Sequence, residues 1–261
     1  MKELNAAVQA ALIAGDMIKS RFGKTQNIRF KGSINIVTDT DIKAEKLIVK
    51  TLKQRFPQYG FLAEEGYGQD KGSDRWIIDP LDGTTNFAHG FPFFAVSIAL
   101  EKDGQIRTGV VYDPIHQELF TAVWGKGAYL NKKKIRVSKV NNLGKAFLAT
   151  GFSYDFKEKK DNNIDNFSKF LMASMAVRRA GAAVIDLCYV ACGRFDGFWE
   201  MDLQPWDTAA AALIIKEAGG EITQFDGSPF SNYKKNMLAS NGLIHKQMLN
   251  IFNIKQVQSK K

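Results

Sequence analysis

Residues 76–85 of the chain read WIIDPLDGTT, a hydrophobic run that leads into two closely spaced aspartates. The run predicts a buried strand that ends at Asp79, because Pro80 has no amide hydrogen to donate to a neighbouring strand. Gly83 permits a close turn, and the two threonines that follow it can begin a helical turn. A short strand followed by a turn and a helix start is typical of the α/β class, which we expect for the whole chain.

The same stretch carries chemistry as well as structure. Asp79 and Asp82 lie three residues apart, and two carboxylates this close repel each other unless a cation lies between them. Ligands that are all oxygen favour a hard ion such as Mg²⁺. The amides of Gly83 and Thr84, at a helix start, would suit a phosphate group. The alternative, in which Asp82-Gly83 only marks a turn, explains less of the stretch.

Three further acidic segments are candidates for the same site. Glu64 and Glu65 follow a short predicted strand that could place one of them beside the ion. Asp207 begins an alanine-rich helix, where an acid can also act simply as a cap or as a partner of the helix dipole. Asp39 has the same simple explanation at another helix start, whereas Asp41, inside that helix, is less easily explained as a cap.

The remaining pattern predicts two α/β halves, residues 1–140 and 141–261, packed closely with the site between them. Helices are predicted over residues 4–20, 39–55, 162–172, 182–191, 208–218 and 243–252. Strands are predicted over residues 61–63, 75–79, 93–100, 106–112, 119–123, 147–150, 195–200 and 237–239.

Composition excludes several classes of protein. Of the 261 residues, 45% are hydrophobic and 24% are charged, as in soluble globular proteins and unlike disordered or fibrous ones. The sequence shows no apolar run of about 20 residues, the length that a membrane span needs. Residues 3–20 mix charged with apolar side chains, which favours an amphipathic helix over a signal peptide. We therefore expect a cytoplasmic protein.

The net charge of +9 leaves nucleic-acid binding open as an alternative. The lysines are scattered, however, with short runs near residues 132–134 and 157–160 and at the end of the chain, and no aromatic residues are interleaved with them. Solvated lysine faces explain the charge better, and a basic surface would also attract anionic substrates.

Together these segments resemble the inositol monophosphatase family, in its bacterial form, over essentially the whole chain. Residues 76–89 look like the first signature of the family and residues 206–220 look like the second. The resemblance implies a mixed α/β fold in the form of a layered α-β-α-β-α sandwich. It also implies Mg²⁺, with two or three ions per site, a homodimer, and inhibition by lithium.

The resemblance further implies roles for individual residues. The metal ligands would be Glu64, Asp79, the backbone carbonyl of Leu81, Asp82 and Asp207. The residues that orient the attacking water would be Glu64, Thr84 and Asp41. The substrate-binding residues would be Lys31, Asp82, Gly83, Thr84, Arg178, Gly181, Ala182, Ala183, Glu200 and Asp207. Arg178 and Arg179 are both candidates near the substrate, and the sequence does not choose between them.

The implied reaction is hydrolysis of a small phosphomonoester by direct attack of water, with inositol 1-phosphate as the leading substrate. Ala182 stands where many members carry Ser or Thr, and Gln204 lies in a variable loop, so both leave the substrate open. Fructose 1,6-bisphosphate, alone or as a second substrate, is the nearest alternative. The non-enzymatic alternative is an accessory role in transcription or ribosomal RNA processing.

Overall fold

A large β-sheet and a small β-sheet alternate with three layers of helices in the computed structural model, which describes residues 1–32, 34–68 and 73–253. Within these residues the helices are α1 Lys2–Arg21, α2 Asp39–Arg55, α3 Thr84–Ala88, α4 Ile164–Ala173, α5 Ala183–Ala191, α6 Pro205–Glu217 and α7 His245–Phe252. The strands are β1 Ile28–Phe30, β2 Ile36–Thr38, β3 Gly60–Ala63, β4 Arg75–Asp82, β5 Ala95–Lys102, β6 Gln105–Asp113, β7 Glu118–Val123, β8 Ala128–Leu130, β9 Lys133–Lys134, β10 Phe147–Thr150, β11 Ala176–Arg178, β12 Gly197–Glu200, β13 Glu221–Thr223 and β14 Met237–Ser240.

The large sheet has the strand order β3-β4-β5-β6-β7-β8-β9. Strands β3 and β4 run parallel, and each later neighbour is antiparallel. Strand β4 continues beyond Asp79, so the prediction that it ends there is wrong. Asp79 pairs with Ser97, and the register against β5 then shifts before Asp82 pairs with Ala95. Pro80 lies within that irregularity, which is where a strand tolerates a residue without an amide hydrogen.

The small sheet has the order β11-β10-β12-β14-β13, in which β10 runs parallel to both of its neighbours. Helices α5 and α6 lie between the two sheets, where their buried alanine, leucine and isoleucine side chains fill the central core. Helices α1 and α2 cover the outer face of the large sheet, and α4 and α7 cover the outer face of the small sheet. The predicted α-β-α-β-α layering is therefore confirmed.

The layering brings the ends of two strands and the beginnings of two helices to one place. Strand β4 ends at Asp82, strand β12 ends at Glu200, and the first turns of α5 and α6 follow Ala182 and Gln204. The large sheet is built from residues 60–134 and the small sheet from residues 147–240. The boundary of the two halves near residue 140 stays a prediction. Among the described residues, no helix has both the length and the apolar character needed to cross a membrane.

Candidate functional site

A cleft of about 720 Å³ lies where these strand ends and helix starts meet, and both sheets contribute to its lining. The sequence singled out five of the acidic residues that line this cleft, namely Glu64, Asp79, Asp82, Glu200 and Asp207. Lys31, Leu81, Gly83, Thr84, Gly181, Ala182 and Ala183 also line it. The fold thus brings residues that are up to 176 positions apart, from Lys31 to Asp207, into one site.

Asp79 is one of the buried acids of the site. It is buried within β4, and its Oδ1 atom accepts a hydrogen bond of 2.9 Å from the amide of Leu81. Burial raises the pKa of Asp79 well above its usual value, and the negative charges of Glu64, Asp82 and Asp207 raise it further. The neighbouring negative charges therefore destabilise an ionised Asp79 unless a cation binds among them.

Asp82 is held at the end of β4 by the beginning of α5. Its Oδ2 atom accepts a hydrogen bond of 2.9 Å from the amide of Val184. Burial raises the pKa of Asp82 to about 7, although that amide hydrogen bond opposes the shift. Gly83 follows with a φ of 87°, and a Cβ atom there would lie 2.9 Å from the carbonyl oxygen of Phe93. Only glycine therefore fits this turn.

Asp207 lies in the first turn of α6, so the simple explanation of its place is also correct. Its Oδ2 atom accepts a hydrogen bond of 2.7 Å from the amide of Gln204, as part of a capping box. Burial raises its pKa well above the usual value, despite that amide, and Glu64, Asp82 and Glu200 raise it further. The helix cap therefore fixes an acid whose charge the cleft disfavours.

Thr84 and Asp41 form a buried pair. The Thr84 hydroxyl donates a hydrogen bond of 2.6 Å to Oδ1 of Asp41 and lies 3.0 Å from the carbonyl oxygen of Leu81. The amide and hydroxyl of Thr38 donate to Oδ2 of Asp41. Burial raises the pKa of Asp41, and these hydrogen bonds from Thr38 and Thr84 oppose the shift. Asp41 therefore fixes the direction of the Thr84 hydroxyl hydrogen.

Lys31 supplies a positive charge next to the acids. Its Nζ atom lies 3.2 Å from Oε1 of Glu64 and 2.6 Å from Oε1 of Glu65. Burial raises the pKa of Glu65 to about 7, Lys31 opposes the shift, and the charge of Glu64 adds to it. Glu45 fixes the turn that carries this pair, because its carboxylate accepts hydrogen bonds from the amides of Glu65 and Tyr67.

The far side of the cleft comes from the second half of the chain. Asn86 of α3 holds the loop before α5, since its Nδ2 atom donates to the carbonyl oxygens of Ala180 and Gly181. Glu200 is buried, and burial raises its pKa to about 8, with a further contribution from Asp82. These contacts tie the loop at residues 181–183 to the first half of the chain.

The structure distinguishes the two adjacent arginines. Arg179 lines the cleft. Arg178, the arginine that the sequence placed among the substrate-binding residues, is exposed on β11, and its guanidinium lies 4.8 Å from the ring centroid of Phe147. We therefore replace Arg178 by Arg179 as the candidate substrate-binding arginine.

The sequence also missed several residues of the cleft, among them an aromatic residue and an acid. Tyr154 lines it from the loop after β10, and Asp186 lines it from the first turn of α5. Asp186 could have been found as an acid in the otherwise apolar helix of residues 182–191, although an acid in a first turn can also act as a partner of the helix dipole. The loop position of Tyr154 gave no comparable signal.

The donor set of the cleft fits an oxygen-preferring divalent cation. Within the described residues, no group of three or more His, Cys, Asp or Glu side chains is already spaced to hold an ion. The negative charge of Glu64 nevertheless helps to raise the pKa values of Asp79, Asp82 and Asp207, which burial raises most. A cation would relieve that repulsion, and carboxylate and carbonyl oxygens are the ligands that Mg²⁺ prefers. Binding would require these side chains to draw closer together.

Comparison with known proteins gives a consistent result. The model of the inositol monophosphatase family matches residues 1–258. An inositol-1-monophosphatase from Synechocystis sp. is 45% identical over 248 residues, which cover 94% of this chain and 86% of that protein. The Nus factor SuhB of Pseudomonas aeruginosa is 42% identical over 259 residues, or 94% of each chain. The solved structure of inositol monophosphatase from Anabaena (Nostoc) sp. has a TM-score of 0.90 at 38% identity and covers 98% of each chain.

Proposed function

The chain belongs to the inositol monophosphatase family and is thus a phosphoric monoester hydrolase, and we propose that it releases phosphate from inositol 1-phosphate in a Mg²⁺-dependent reaction. One observation carries the proposal. The carboxylates of Glu64, Asp79, Asp82 and Asp207 line one cleft beside the Thr84–Asp41 hydrogen bond. That combination offers ligands for a cation and a fixed hydroxyl for a water molecule.

The proposed ligands of the cation are the four carboxylates and the backbone carbonyl of Leu81, which also lines the cleft. The resemblance favours two or three ions per site. When bound, Mg²⁺ neutralises charge on the phosphate and the leaving group and makes water a better nucleophile. The raised pKa values of Asp79, Asp82 and Asp207 imply that binding releases protons at neutral pH.

Thr84 and Glu64 are the residues that we assign to the attacking water. The Thr84 hydroxyl gives its hydrogen to Asp41, so its lone pairs are left to accept a hydrogen from water. The Glu64 carboxylate can accept the other hydrogen, which directs the water oxygen towards phosphorus. The new bond joins that oxygen to phosphorus as the bond from phosphorus to the alcohol oxygen breaks; the water gives up a proton, and the alcohol oxygen takes one up. No covalent phosphoenzyme is needed, and positioning accounts for much of the rate.

The phosphate and the alcohol have separate contacts in this proposal. Lys31, together with the turn at Gly83 and Thr84, is assigned to the phosphate, because a cation and backbone amides suit an anion. Arg179 is assigned to the substrate in place of Arg178. The alcohol lies against the loop of residues 181–183 and the buried Glu200, whose carboxyl can bond a hydroxyl group. Asp82 and Asp207 border both regions.

Two alternatives remain distinct from this proposal. Hydrolysis of fructose 1,6-bisphosphate, alone or as a second activity, would use the same carboxylates and differ only at the alcohol side of the cleft. An accessory role in transcription is suggested by the Nus factor SuhB and by the net charge of +9. The acidic set favours an enzyme, because a role in binding alone does not need it. An accessory role would survive Asp82→Asn, whereas hydrolysis would not.

A phosphate-release screen tests the proposal. The purified chain is given inositol 1-phosphate, fructose 1,6-bisphosphate, adenosine 3′,5′-bisphosphate or NADP, with Mg²⁺ or with a chelator. We expect Mg²⁺-dependent release that is fastest with inositol 1-phosphate and is inhibited by lithium. Release that persists in the chelator would contradict the metal assignment, and a clear preference for fructose 1,6-bisphosphate would contradict the substrate. The homodimer stays a prediction, which light scattering can check.

A further inference from the structure

Asp186 is a buried acid on the wall of the cleft. It lies in the first turn of α5, is only 1% exposed and lines the cleft. Among the hydrogen bonds of the described residues, its Oδ1 atom has no partner. Buried carboxyl oxygens are nearly always hydrogen-bonded, since they have lost the bonds that water would give. The open oxygen of Asp186 is therefore suited to a group that a bound molecule brings.

Glu200 and Arg179 are the charged neighbours that define this part of the cleft. The negative charges of Glu200 and Asp82 add to the effect of burial in raising the pKa of Asp186, and Arg179 opposes these effects. Arg179 likewise lowers the pKa of Glu200. Both acids are buried and both line the cleft, while a Cβ atom at Gly151 would overlap the Glu200 carboxylate. Glycine at position 151 thus leaves room for that carboxylate.

The chemistry of Asp186, Glu200 and Arg179 favours the binding of hydroxyl groups over the binding of phosphate. A phosphate dianion would add negative charge beside two acids whose ionised forms burial already disfavours, and one arginine does not offset all of that charge. A hydroxyl group both donates and accepts a hydrogen bond, so it can pair with a carboxyl group in either protonation state. Two acids that line one cleft and interact electrostatically therefore match two hydroxyls on one ring.

We propose that Asp186 is a specificity-determining residue that binds a ring hydroxyl of the substrate alcohol, next to the hydroxyl bonded by Glu200. This inference rests on the proposed function, because it assigns the alcohol side of the same cleft. Residues of both α5 and β12 would then determine the preference for a cyclic polyol. Substrates without hydroxyl groups on the alcohol gain nothing from Asp186.

Asp196 provides a matched control, because it is a buried aspartate whose two oxygens are already bonded. The hydroxyl of Ser138 donates to its Oδ1 atom, and the amide of Phe147 donates to its Oδ2 atom at 2.7 Å. Asp196 does not line the cleft among the described residues. Removing its charge should therefore affect stability and leave substrate preference unchanged.

The test compares two substrates in three variants. Inositol 1-phosphate carries ring hydroxyls, whereas p-nitrophenyl phosphate has none on its alcohol. In Asp186→Leu we expect kcat/KM to fall about 10- to 100-fold for inositol 1-phosphate and to stay within about twofold for p-nitrophenyl phosphate. Asp186→Asn should keep most of the preference, since an amide also donates and accepts. The Tm of Asp186→Leu should not fall, because an unpartnered acid is replaced by an apolar group of similar size.

The control variant and the parent separate the possible failures. Asp196→Asn should lower Tm and leave the ratio of the two kcat/KM values unchanged. The inference is overturned if Asp186→Leu slows both substrates alike, leaves their ratio unchanged, or fails to fold. If the parent hydrolyses neither substrate, the proposed function fails and this inference fails with it. A parent that hydrolyses both, with an unchanged ratio in Asp186→Leu, overturns only the role of Asp186.

Discussion

Asp82→Asn should make the metal-free protein more stable at pH 8 while abolishing hydrolysis. The folded state raises the pKa of Asp82 to about 7, mainly through burial, whereas an unfolded aspartate titrates near 3.9. At pH 3 or below, both states hold most of the proton and the carboxyl has little effect on stability. As the pH rises towards 7, the unfolded chain loses that proton more readily, so the folded parent loses stability. Asparagine does not ionise and avoids this loss.

The size of the effect follows from the shift of about three pKa units. Each unit corresponds to about 1.36 kcal/mol, which gives at most about 4 kcal/mol at pH 8. Since Asp82 borders an open cleft, solvent reduces this value, and we expect about 2–4 kcal/mol. For a chain of this size that is roughly 4–7 °C in Tm. The amide of Val184 should keep its hydrogen bond, because the side-chain oxygen of asparagine can accept it.

The assay is thermal unfolding of parent and variant at pH 4.5 and pH 8, in the presence of a chelator. The difference in Tm should be small at pH 4.5 and favour the variant at pH 8. Added Mg²⁺ at about 100 times its Kd should stabilise the parent by about 2.7 kcal/mol and the variant by much less. As a control, Asp226→Asn should give no gain at pH 8, because hydrogen bonds to Ser228 lower the pKa of Asp226. An Asp82→Asn protein that is less stable than the parent at pH 8 would refute the reasoning.

Three further predictions concern other parts of the site. Thr84→Ala should lower kcat about 10²–10³-fold with little change in KM, and Thr84→Ser should restore most of it; a loss confined to KM would contradict the water-positioning role. Arg179→Ala should raise KM for inositol 1-phosphate at least about tenfold, while Arg178→Ala changes it less than twofold; equal effects in steady-state kinetics would refute the assignment. Gly83→Ala should destabilise the protein by at least about 2 kcal/mol in urea unfolding, owing to the positive φ and the contact with a backbone carbonyl; a normal unfolding midpoint would contradict this.

The features predicted best from the sequence are those with local causes. Helix α2 runs over Asp39–Arg55 as predicted, since the side chain of Thr38 caps it and Asp41 completes a capping box. Strand β10 also has its predicted bounds of Phe147–Thr150. In both cases the signals that begin and end the element lie within a few residues of its ends.

The features that the sequence missed depend on contacts between distant segments. Strands β8, β9 and β13 are only two or three residues long and carry little hydrophobic pattern, so they form only because a neighbouring strand is already in place. Strand β4 passes Pro80 because β5 tolerates a shift in register there. Neither fact can be read from the segment alone.

The candidate site shows the same division. The spacing of Asp79 and Asp82 indicates an ion site in the sequence itself, because Pro80 interrupts regular strand pairing between two closely spaced acids. The choice between Arg178 and Arg179 depends instead on how β11 pairs with β10, which places Arg178 over Phe147. The place of Asp186 in the cleft likewise depends on how α5 packs between the sheets.

Anomalous diffraction from crystals grown with Mn²⁺, a scattering substitute for Mg²⁺, tests the central claim most directly. The claim is that the carboxylates of Glu64, Asp79, Asp82 and Asp207 together hold the catalytic cation. We expect peaks in the cleft at coordination distance, about 2.1 Å, from oxygens of these side chains, and no such peaks in crystals of Asp82→Asn. The account would be contradicted if the parent protein hydrolyses substrate with Mn²⁺ but its crystals show no peak between these carboxylates.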